Sequence, residues 1–245
     1  SHTHLDLNHV TVGVGETVVL ADLGSRSYPA DYFSDARWKY YEITTAGHNS
    51  VLVGGKGQVP NRAGDLRGPV TGRTFTALTG VADNAYETST PRARRTVVFV
   101  DGRYYVLLDD VRPAAPATFE LRFHTPGTIG GRAAGGWTLI RNSAACDVIP
   151  AESGRFTAAA EVPSGWISSV NVLRLTSAAL PQLATATVLV PRAVSAASVG
   201  AVSQQTQGSD LRISVGGDTI VFRPGSDGYA LASVTLADGR TDTLR

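Results

Sequence analysis

The chain has 245 residues, of which 42% are hydrophobic, and its formal net charge at pH 7 is +1. A chain of this length can bury a sizeable core without a metal ion or disulfide bonds. Its balanced charge excludes a general electrostatic attraction to nucleic acid or to an anionic membrane. Any recognition of an anion must therefore be local.

Several sequence features bear on where the chain belongs. No apolar run approaches the roughly 20 residues that are needed to span a bilayer. The single cysteine, Cys146, excludes an internal disulfide bond and leaves the redox compartment open. The chain contains no methionine, and its segment richest in functional groups begins at residue 1. We therefore expect it to be a piece of a longer protein.

Apolar residues alternate with polar ones in several segments. Residues 10–14 carry valine at every second position, and residues 119–123 repeat the alternation, as half-buried β-strands do. His124, at the end of the second run, is predicted to be a structural histidine. Residues 60–92 are polar and poor in branched apolar side chains, and two interpretations are open for them. They form either a long excursion over one face or a pair of short edge strands.

Turn signals between apolar runs predict three β-hairpins. Asp101-Gly102 is a dipeptide suited to a two-residue turn with positive φ, and it separates the apolar residues 96–100 from 104–108. Gly216-Gly217-Asp218 separates two further apolar runs in the same way. Asp238-Gly239 marks a third hairpin near the end of the chain.

The remaining pattern predicts an all-β protein. Residues 177–202 are rich in alanine and serine, which suits a short helix, but Pro181 and Pro191 interrupt them and residues 185–190 have the composition of a strand. The chain has 26 glycines and 12 prolines, and its turn signals recur about every 8 to 12 residues. We predict a large antiparallel β-sandwich of two sheets that forms a single domain over residues 1–245.

Histidine and aspartate side chains alternate at the start of the chain. If residues 1–7 form a strand, its period of two places His2, His4 and Asp6 on one face. The same period places His9 on the opposite face, so we predict that His9 stays apart unless a bulge intervenes. This arrangement is compatible with a metal site and equally with a plain polar face.

Two further residues of these types lie at predicted strand ends. Asp22 ends the apolar run 18–21 just before Gly24, and His48 precedes the predicted strand 51–53. A histidine, an aspartate and a second histidine offered from three strand ends can bind zinc, which accepts neutral imidazole and carboxylate in near-tetrahedral geometry. A second interpretation stays open, in which Asp22 closes a turn and the histidines are structural.

The order of these residues resembles the heparinase II/III-like C-terminal domain of polysaccharide lyases, a group that includes alginate and oligoalginate lyases. The resemblance rests on residues 1–6, 19–24, 28, 37–41 and 45–58. It is close over the first 58 residues, which hold the metal and cleft motif, and looser over residues 95–109 and 123–126.

The resemblance implies a role for individual residues. His4, Asp22 and His48 match the positions that hold a structural zinc ion in such lyases. His2 matches a histidine that points into the cleft and takes part in catalysis or in holding the substrate.

The resemblance also gives candidates for substrate binding. Tyr28 or Tyr32 lies near the position of a cleft tyrosine in alginate-type members, although the loop here differs in length. Arg37 and Asn49 lie within the motif. For Arg37 and Asn49, a contact with sugar and a role in packing or loop support are both open.

The resemblance further implies an activity and its partners. Such lyases cleave uronic-acid-containing polysaccharide by β-elimination, in which a base removes a proton beside the carboxylate and an acid protonates the leaving oxygen. The expected partners are an anionic uronate polysaccharide or oligosaccharide and an upstream (α/α) toroid domain that is missing here, so this chain alone is expected to be inactive. We expect no nucleic acid, no membrane span, and a secreted or periplasmic location.

Two other classes of function compete with this interpretation. His2-x-His4-x-Asp6 is similar to the opening of metallo-β-lactamase-like zinc hydrolases, but Leu7 stands where that motif requires a histidine. The other alternative is a non-catalytic carbohydrate-binding or structural β-sandwich module. In such a module a tryptophan would stack on sugar faces, and the candidates are Trp38, Trp137 and Trp166.

Overall fold

The structure is a computed structural model, and it describes residues 2–24, 27–164 and 169–244. Within these ranges the chain forms nineteen β-strands and four short 3-10 helices, with no α-helix. The described part also contains no helix with the length and apolar character of a membrane span. The prediction of an all-β protein is therefore confirmed.

The strands differ widely in length, from three to eleven residues. In chain order they are β1 (Val12–Val14), β2 (Thr17–Leu20), β3 (Val51–Val53), β4 (Asp65–Thr71), β5 (Phe75–Val81), β6 (Arg92–Val100), β7 (Tyr104–Arg112), β8 (Phe119–Thr125), β9 (Thr128–Gly131), β10 (Trp137–Arg141), β11 (Ala144–Pro150), β12 (Phe156–Glu161), β13 (Asn171–Ser177), β14 (Leu183–Ala193), β15 (Val202–Gln207), β16 (Asp210–Val215), β17 (Asp218–Gly225), β18 (Gly228–Thr235) and β19 (Thr241–Thr243). The 3-10 helices are Asp35–Lys39, Tyr41–Ile43, Thr45–Gly47 and Ser153–Arg155.

The strands of the described ranges pair in four sheets, and the pairing is antiparallel throughout. The largest sheet has eight strands in the order β4-β5-β6-β7-β14-β11-β10-β9. A four-stranded sheet has the order β12-β13-β8-β3, and a five-stranded sheet follows the chain from β15 to β19. Strands β1 and β2 form a separate ribbon.

The central strands of the eight-stranded sheet are buried on both faces. Along β7, Leu107 and Val111 belong to one hydrophobic core, whereas Val106 and Leu108 belong to another. The first core is shared with the four-stranded sheet and the β1-β2 ribbon, and the second with the five-stranded sheet. The predicted antiparallel β-sandwich is confirmed, and the five-stranded sheet adds a third layer that the sequence analysis did not anticipate.

The three predicted hairpins are present. Strands β6 and β7 flank a turn in which Asp101 and Gly102 have φ values of 48° and 70°. The hairpins β16-β17 and β18-β19 enclose the other two turn signals.

Two ambiguous segments also have definite structures. Within residues 60–92, strands β4 and β5 pair at one edge of the eight-stranded sheet, so the interpretation as edge strands is the correct one. Within residues 177–202, the chain forms β14 and no helix, and Pro191 lies inside this strand.

Candidate metal centre

The segment that carries the first histidines is irregular, and the strand considered for residues 1–7 does not form over residues 2–7. Its described backbone groups make individual hydrogen bonds to separate residues and form no β-ladder. The Leu5 N–H donates to Ile43 O at 2.8 Å, and Thr45 Oγ1 donates to Leu5 O at 2.8 Å. The Gln58 amide accepts from Leu7 N–H and donates to Leu7 O, both at 2.9 Å. The segment is therefore positioned by the loop that follows the ribbon.

Because a strand period does not apply here, the prediction that His9 stays apart is wrong. Asn8 has a φ of 64°, which turns the chain just before His9. His9 Nε2 lies 3.4 Å from Asp22 Oδ2, and the rings of His9 and His48 are 5.1 Å apart between centroids. His9 therefore belongs to the same cluster as the predicted ligands.

His48 is the centre of this cluster. It is fully buried, and it follows the 3-10 helix Thr45–Gly47. A Cβ atom at Gly47 would collide with the backbone of Tyr41, so glycine is required where these turns pack together just before His48. His48 belongs to two groups of potential ligands whose atoms all lie within 4.8 Å of one another, one with His4 and Asp6 and one with His9 and Asp22.

The predicted ligands His4, Asp22 and His48 do not together form either of these two groups, but Asp22 and His4 each lie close to His48. Asp22 Oδ2 lies 3.3 Å from His48 Nδ1, and the ring centroids of His4 and His48 are 5.3 Å apart. Ligand atoms that are each about 2.0–2.1 Å from a tetrahedral zinc ion lie about 3.3 Å from one another. Neither ring nitrogen of His48 has a hydrogen-bond partner in the described part of the chain. Since buried polar atoms normally have one, a cation between these groups would satisfy an otherwise costly burial.

His9 differs from His48 in its tautomer. The backbone N–H of Asn49 donates to His9 Nδ1 at 2.8 Å, so Nδ1 is the unprotonated nitrogen of a neutral ring. The proton is then on Nε2, which faces Asp22. Nε2 does not complete a hydrogen bond to Asp22 in this structure, and its proton excludes it as a metal ligand in this tautomer.

Burial lowers the pKa of two histidines of the cluster, and neighbouring groups lower the pKa of its aspartate. Burial lowers the pKa of His4, which the neighbouring His48 ring lowers further, and it lowers the pKa of His9 to about 4. The pKa of the Asp22 carboxyl lies well below its usual range, first because the His48 imidazole faces it and also because the Gly24 N–H donates to Oδ1 at 2.7 Å. At neutral pH, His4 and His9 are therefore neutral and Asp22 is ionised, as zinc binding requires.

Asn49, predicted as a substrate-binding candidate, is fully buried. Its Nδ2 donates to Val10 O and to Ala21 O, both at 2.9 Å, and its Oδ1 accepts from the backbone N–H of His124 at 2.7 Å. Since this amide is satisfied inside the protein, Asn49 offers no group to a substrate in this structure. It instead connects the segments on either side of the cluster.

Arg95 reinforces the same connection, and the sequence analysis missed it. Its guanidinium pairs with Asp109 through two hydrogen bonds of 2.8 and 3.1 Å. It also donates to Asn8 O at 2.9 Å and to Asn49 O at 2.6 Å, which are the residues that flank His9 and His48. A basic residue directly before the apolar run 96–100 and an aspartate directly after the run 104–108 of the same predicted hairpin were the available signal.

Of the other three substrate-binding candidates, two are buried. Tyr32 is 2% exposed and Arg37 is 3% exposed. Arg37 donates to Thr3 O at 2.7 Å and lies over the Trp38 ring at 4.9 Å, so it fixes the segment between His2 and His4. In this structure both residues support the site from inside. Tyr28 is 50% exposed, so substrate binding stays a prediction for this residue.

His2 is exposed and lies against an aromatic surface. Its ring centroid is 6.0 Å from that of Tyr28 and 5.1 Å from that of Phe33. Tyr28 in turn stacks on Tyr32 at 4.7 Å. Phe33 is 51% exposed, and the sequence analysis missed it, although an apolar ring in a polar loop is a usable signal.

His124 is a structural histidine, in line with its prediction. It is fully buried, and its Nδ1 donates to Asn49 Oδ1 at 3.0 Å. Its Nε2 therefore accepts from the Tyr41 hydroxyl at 2.8 Å, and that hydroxyl accepts from Arg122 at 3.0 Å. Burial lowers the pKa of His124 well below its ordinary value, and the positive charge of Arg122 lowers it further.

A groove of about 580 Å³ opens over the cluster. Its lining combines predicted residues (His2, His4, Asp22 and Trp38) with polar residues that the sequence analysis did not single out, namely Gln58, Asn61 and Arg62. His4 and two carboxylates of the cluster, Asp6 and Asp22, thus line the same groove as the exposed His2 and the guanidinium of Arg62.

The chain is similar to known proteins in sequence and in fold. A family model described as heparinase II/III-like, C-terminal, matches residues 1–239. A crystal structure of heparinase III is similar with a TM-score of 0.73 and 17% sequence identity, over 90% of this chain and 36% of that chain. A crystal structure of the heparan sulfate lyase HepC from Pedobacter heparinus gives a TM-score of 0.69 and 12% identity, over 94% and 37% of the two chains.

The similarity to these solved structures concerns the fold. At such identities the solved structures show a shared fold, and the present chain spans only 36–37% of their length. A search of curated proteins gives no match.

The hydrogen bonds of Asn49 generate a first prediction. Asn49→Ala leaves several buried polar groups without partners, so we expect the free energy of unfolding to fall by at least about 2 kcal/mol. Equilibrium urea denaturation measures this change. Gln205→Ala, at an exposed position of β15, is the control and should change the value by less than about 0.5 kcal/mol. An Asn49→Ala value as small as the control would contradict the role assigned to this amide.

The buried His124 ring generates a second prediction, on pH. Its pKa in the folded state is below the value of about 6.5 in the unfolded chain. The stability that the neutral ring contributes is therefore complete above that pH and is lost as the pH falls below it. We expect the free energy of unfolding to decline below about pH 6.5, and the decline to be shallower in His124→Gln. Urea denaturation at a series of pH values measures both slopes, and equal slopes would refute this role of His124.

Proposed function

The chain belongs to the heparinase II/III-like C-terminal family of polysaccharide lyase domains, and from this membership we propose that it supplies part of a lyase active site. The parent enzyme would cleave a uronic-acid-containing polysaccharide by β-elimination. The observation that carries this proposal is the cluster of histidines and carboxylates around the buried His48, with the exposed His2 in the groove that His4 and Asp22 also line.

We propose that the cluster holds a structural zinc ion through His4, Asp22 and His48. The 3.3 Å contact between Asp22 and His48 and the unsatisfied nitrogens of His48 support this assignment. The tautomer of His9 supports its role as a partner of Asp22 outside the ligand set. When bound, zinc would fix the segment 2–9 at the groove.

His2 is the residue proposed to act on the substrate. In β-elimination a base removes the proton beside the uronate carboxylate, and a neutral imidazole can accept it. His2 is exposed in the groove, and the Tyr28 and Phe33 rings beside it favour one orientation of its ring. His4, two residues later, is fixed through the cluster. These contacts support His2 as a base or as a polarised partner of the substrate.

The remaining catalytic groups are proposed to come from an upstream (α/α) toroid domain. The support for this is the coverage of the similar solved structures, in which about two thirds of each chain lies outside the match. An acid for the leaving oxygen and a group that neutralises the carboxylate are both required, and they would be placed there. We also propose a secreted or periplasmic location, which suits a polymeric substrate.

One alternative function has an observation in its favour. Tyr28 and Phe33 are half-exposed side by side, and such rings stack on sugar faces in non-catalytic carbohydrate-binding modules. The predicted tryptophan platform has less support, because Trp137 packs against the first core and Trp38 lies under Arg37. Trp166 lies outside the described residues. Binding of a polysaccharide by the full-length protein without cleavage would favour this alternative.

The proposed zinc site generates a third prediction. We expect about one zinc ion per chain after dialysis, and loss of the ion in Asp22→Ala and in His48→Ala. Inductively coupled plasma mass spectrometry measures the stoichiometry.

Two matched variants make this test specific. Asp6→Asn changes the carboxylate of the competing ligand group, and it should keep the zinc ion. His9→Gln should also keep it, with an affinity lowered by about 10–100-fold, as for a partner of a ligand. Zinc retained in His48→Ala, or lost in Asp6→Asn, would contradict the proposed ligand set.

The proposed catalytic role generates a fourth prediction. In the full-length parent protein, His2→Ala should lower the rate of β-elimination by at least about 100-fold, because a proton-transfer group is lost. Ultraviolet absorbance of the unsaturated sugar measures the rate, and this chain alone should give none.

The controls separate catalysis from folding. His2→Ala should leave the zinc content unchanged, and Gln205→Ala should leave the rate unchanged. Undiminished activity of His2→Ala would refute the role of His2. Absence of unsaturated product from the full-length wild type on every uronate polymer would refute the lyase proposal itself.

A further inference from the structure

The side chain of one arginine beside the proposed metal centre has no hydrogen-bond or ion-pair partner among the residues that the structure describes. Among the described arginines, Arg62 and Arg112 alone take part in neither a hydrogen bond nor an ion pair, whereas the others are held by carboxylates, carbonyls or other polar groups. Both are exposed. Only Arg62 lines the groove that contains His2 and His4.

The charges of the groove give this arginine its significance. The described lining contains two carboxylates, from Asp6 and Asp22, and Arg62 is its one arginine or lysine side chain. An anionic ligand would be repelled by the carboxylates unless a cation lay near it. The chain as a whole has a net charge of only +1, so this cation has to be local.

The loop that carries Arg62 is fastened at both ends. On one side the Val59 N–H donates to Ala85 O at 2.8 Å. Asn61 has a φ of 61°, and Gly64 approaches Leu7 so closely that a Cβ atom there would lie 2.8 Å from the Leu7 side chain. Residues 60–64 therefore pack against the same N-terminal segment that carries His4. The fixed loop presents the guanidinium to the groove.

We propose that Arg62 binds an acidic substituent, a carboxylate or a sulfate, of a polysaccharide chain that occupies the groove beside His2 and His4. The planar guanidinium can donate two parallel hydrogen bonds to either group, which a lysine cannot do. This inference rests on the proposed lyase function and names the residue that recognises the anionic character of the substrate on this domain.

The test uses the full-length protein and two polymers, alginate, which carries carboxylates, and heparan sulfate, which carries carboxylates and sulfates. Initial rates give KM and kcat for the wild type and for Arg62→Gln, Arg62→Lys and the matched control Arg112→Gln. We expect Arg62→Gln to raise KM by about tenfold or more, as for the loss of a charged hydrogen bond. Since the contact is to a remote group of the substrate, kcat should change much less. Arg62→Lys should recover part of the loss, and Arg112→Gln should match the wild type.

Each outcome has a definite consequence. A raised KM on both polymers supports the inference with a carboxylate as the ligand, and a raised KM on heparan sulfate alone supports it with a sulfate. If Arg62→Gln and Arg112→Gln have the same KM on every polymer that the wild type cleaves, the inference is overturned while the lyase function stands. If the wild type cleaves neither these polymers nor any other uronate polymer, the proposed function fails, and the role of Arg62 fails with it.

Discussion

The amide of Asn49 connects the chain segments that build the candidate site. The side-chain Nδ2 donates to the carbonyls of Val10 and Ala21, and Oδ1 accepts from the backbone N–H of His124. The backbone N–H of Asn49 fixes the tautomer of His9. The neighbouring residue in the sequence is His48. A buried amide with all these partners tolerates little displacement, because each broken bond would leave a buried polar group unsatisfied. The positions of His9, Asp22 and His48 thus depend on one side chain that has no exposed surface.

This dependence explains how the segment that carries His2 and His4 can be held in place outside regular structure. Residues 2–9 have no ladder of hydrogen bonds, and they are instead bound by side chains such as Gln58 and Thr45 and by the guanidinium of Arg37. The sheets supply the rigid support beneath: Arg95, anchored to Asp109 across β6 and β7, holds the carbonyls beside His9 and His48. An irregular segment held at many points can direct His2 into the groove while His4 stays half-buried.

The sequence predicted much of this arrangement, and the misses have physical causes. Turn dipeptides such as Asp101-Gly102 report local backbone conformation, so the hairpins were predictable. Alternation of apolar and polar residues indicates that one face of a strand is buried, but it does not indicate what covers that face. The third sheet, which packs behind β7, was therefore not predictable. His9 was misplaced because a period of two was assumed for a segment whose backbone is bonded by distant side chains. For Asn49 and Arg37 the sequence left sugar contact and packing both open, since polar residues in a motif do not reveal whether their partners are protein or substrate.

The central claim is that His4, Asp22 and His48 share one zinc ion, with His9 outside the ligand set. A crystal structure with anomalous diffraction recorded at the zinc absorption edge tests this most directly. The account predicts a single strong peak about 2.0–2.2 Å from one atom of each of the three residues. His9 Nε2 should lie beyond bonding distance and point at Asp22. A map without such a peak, or a peak bound through Asp6 or His9 in place of Asp22, would contradict the account.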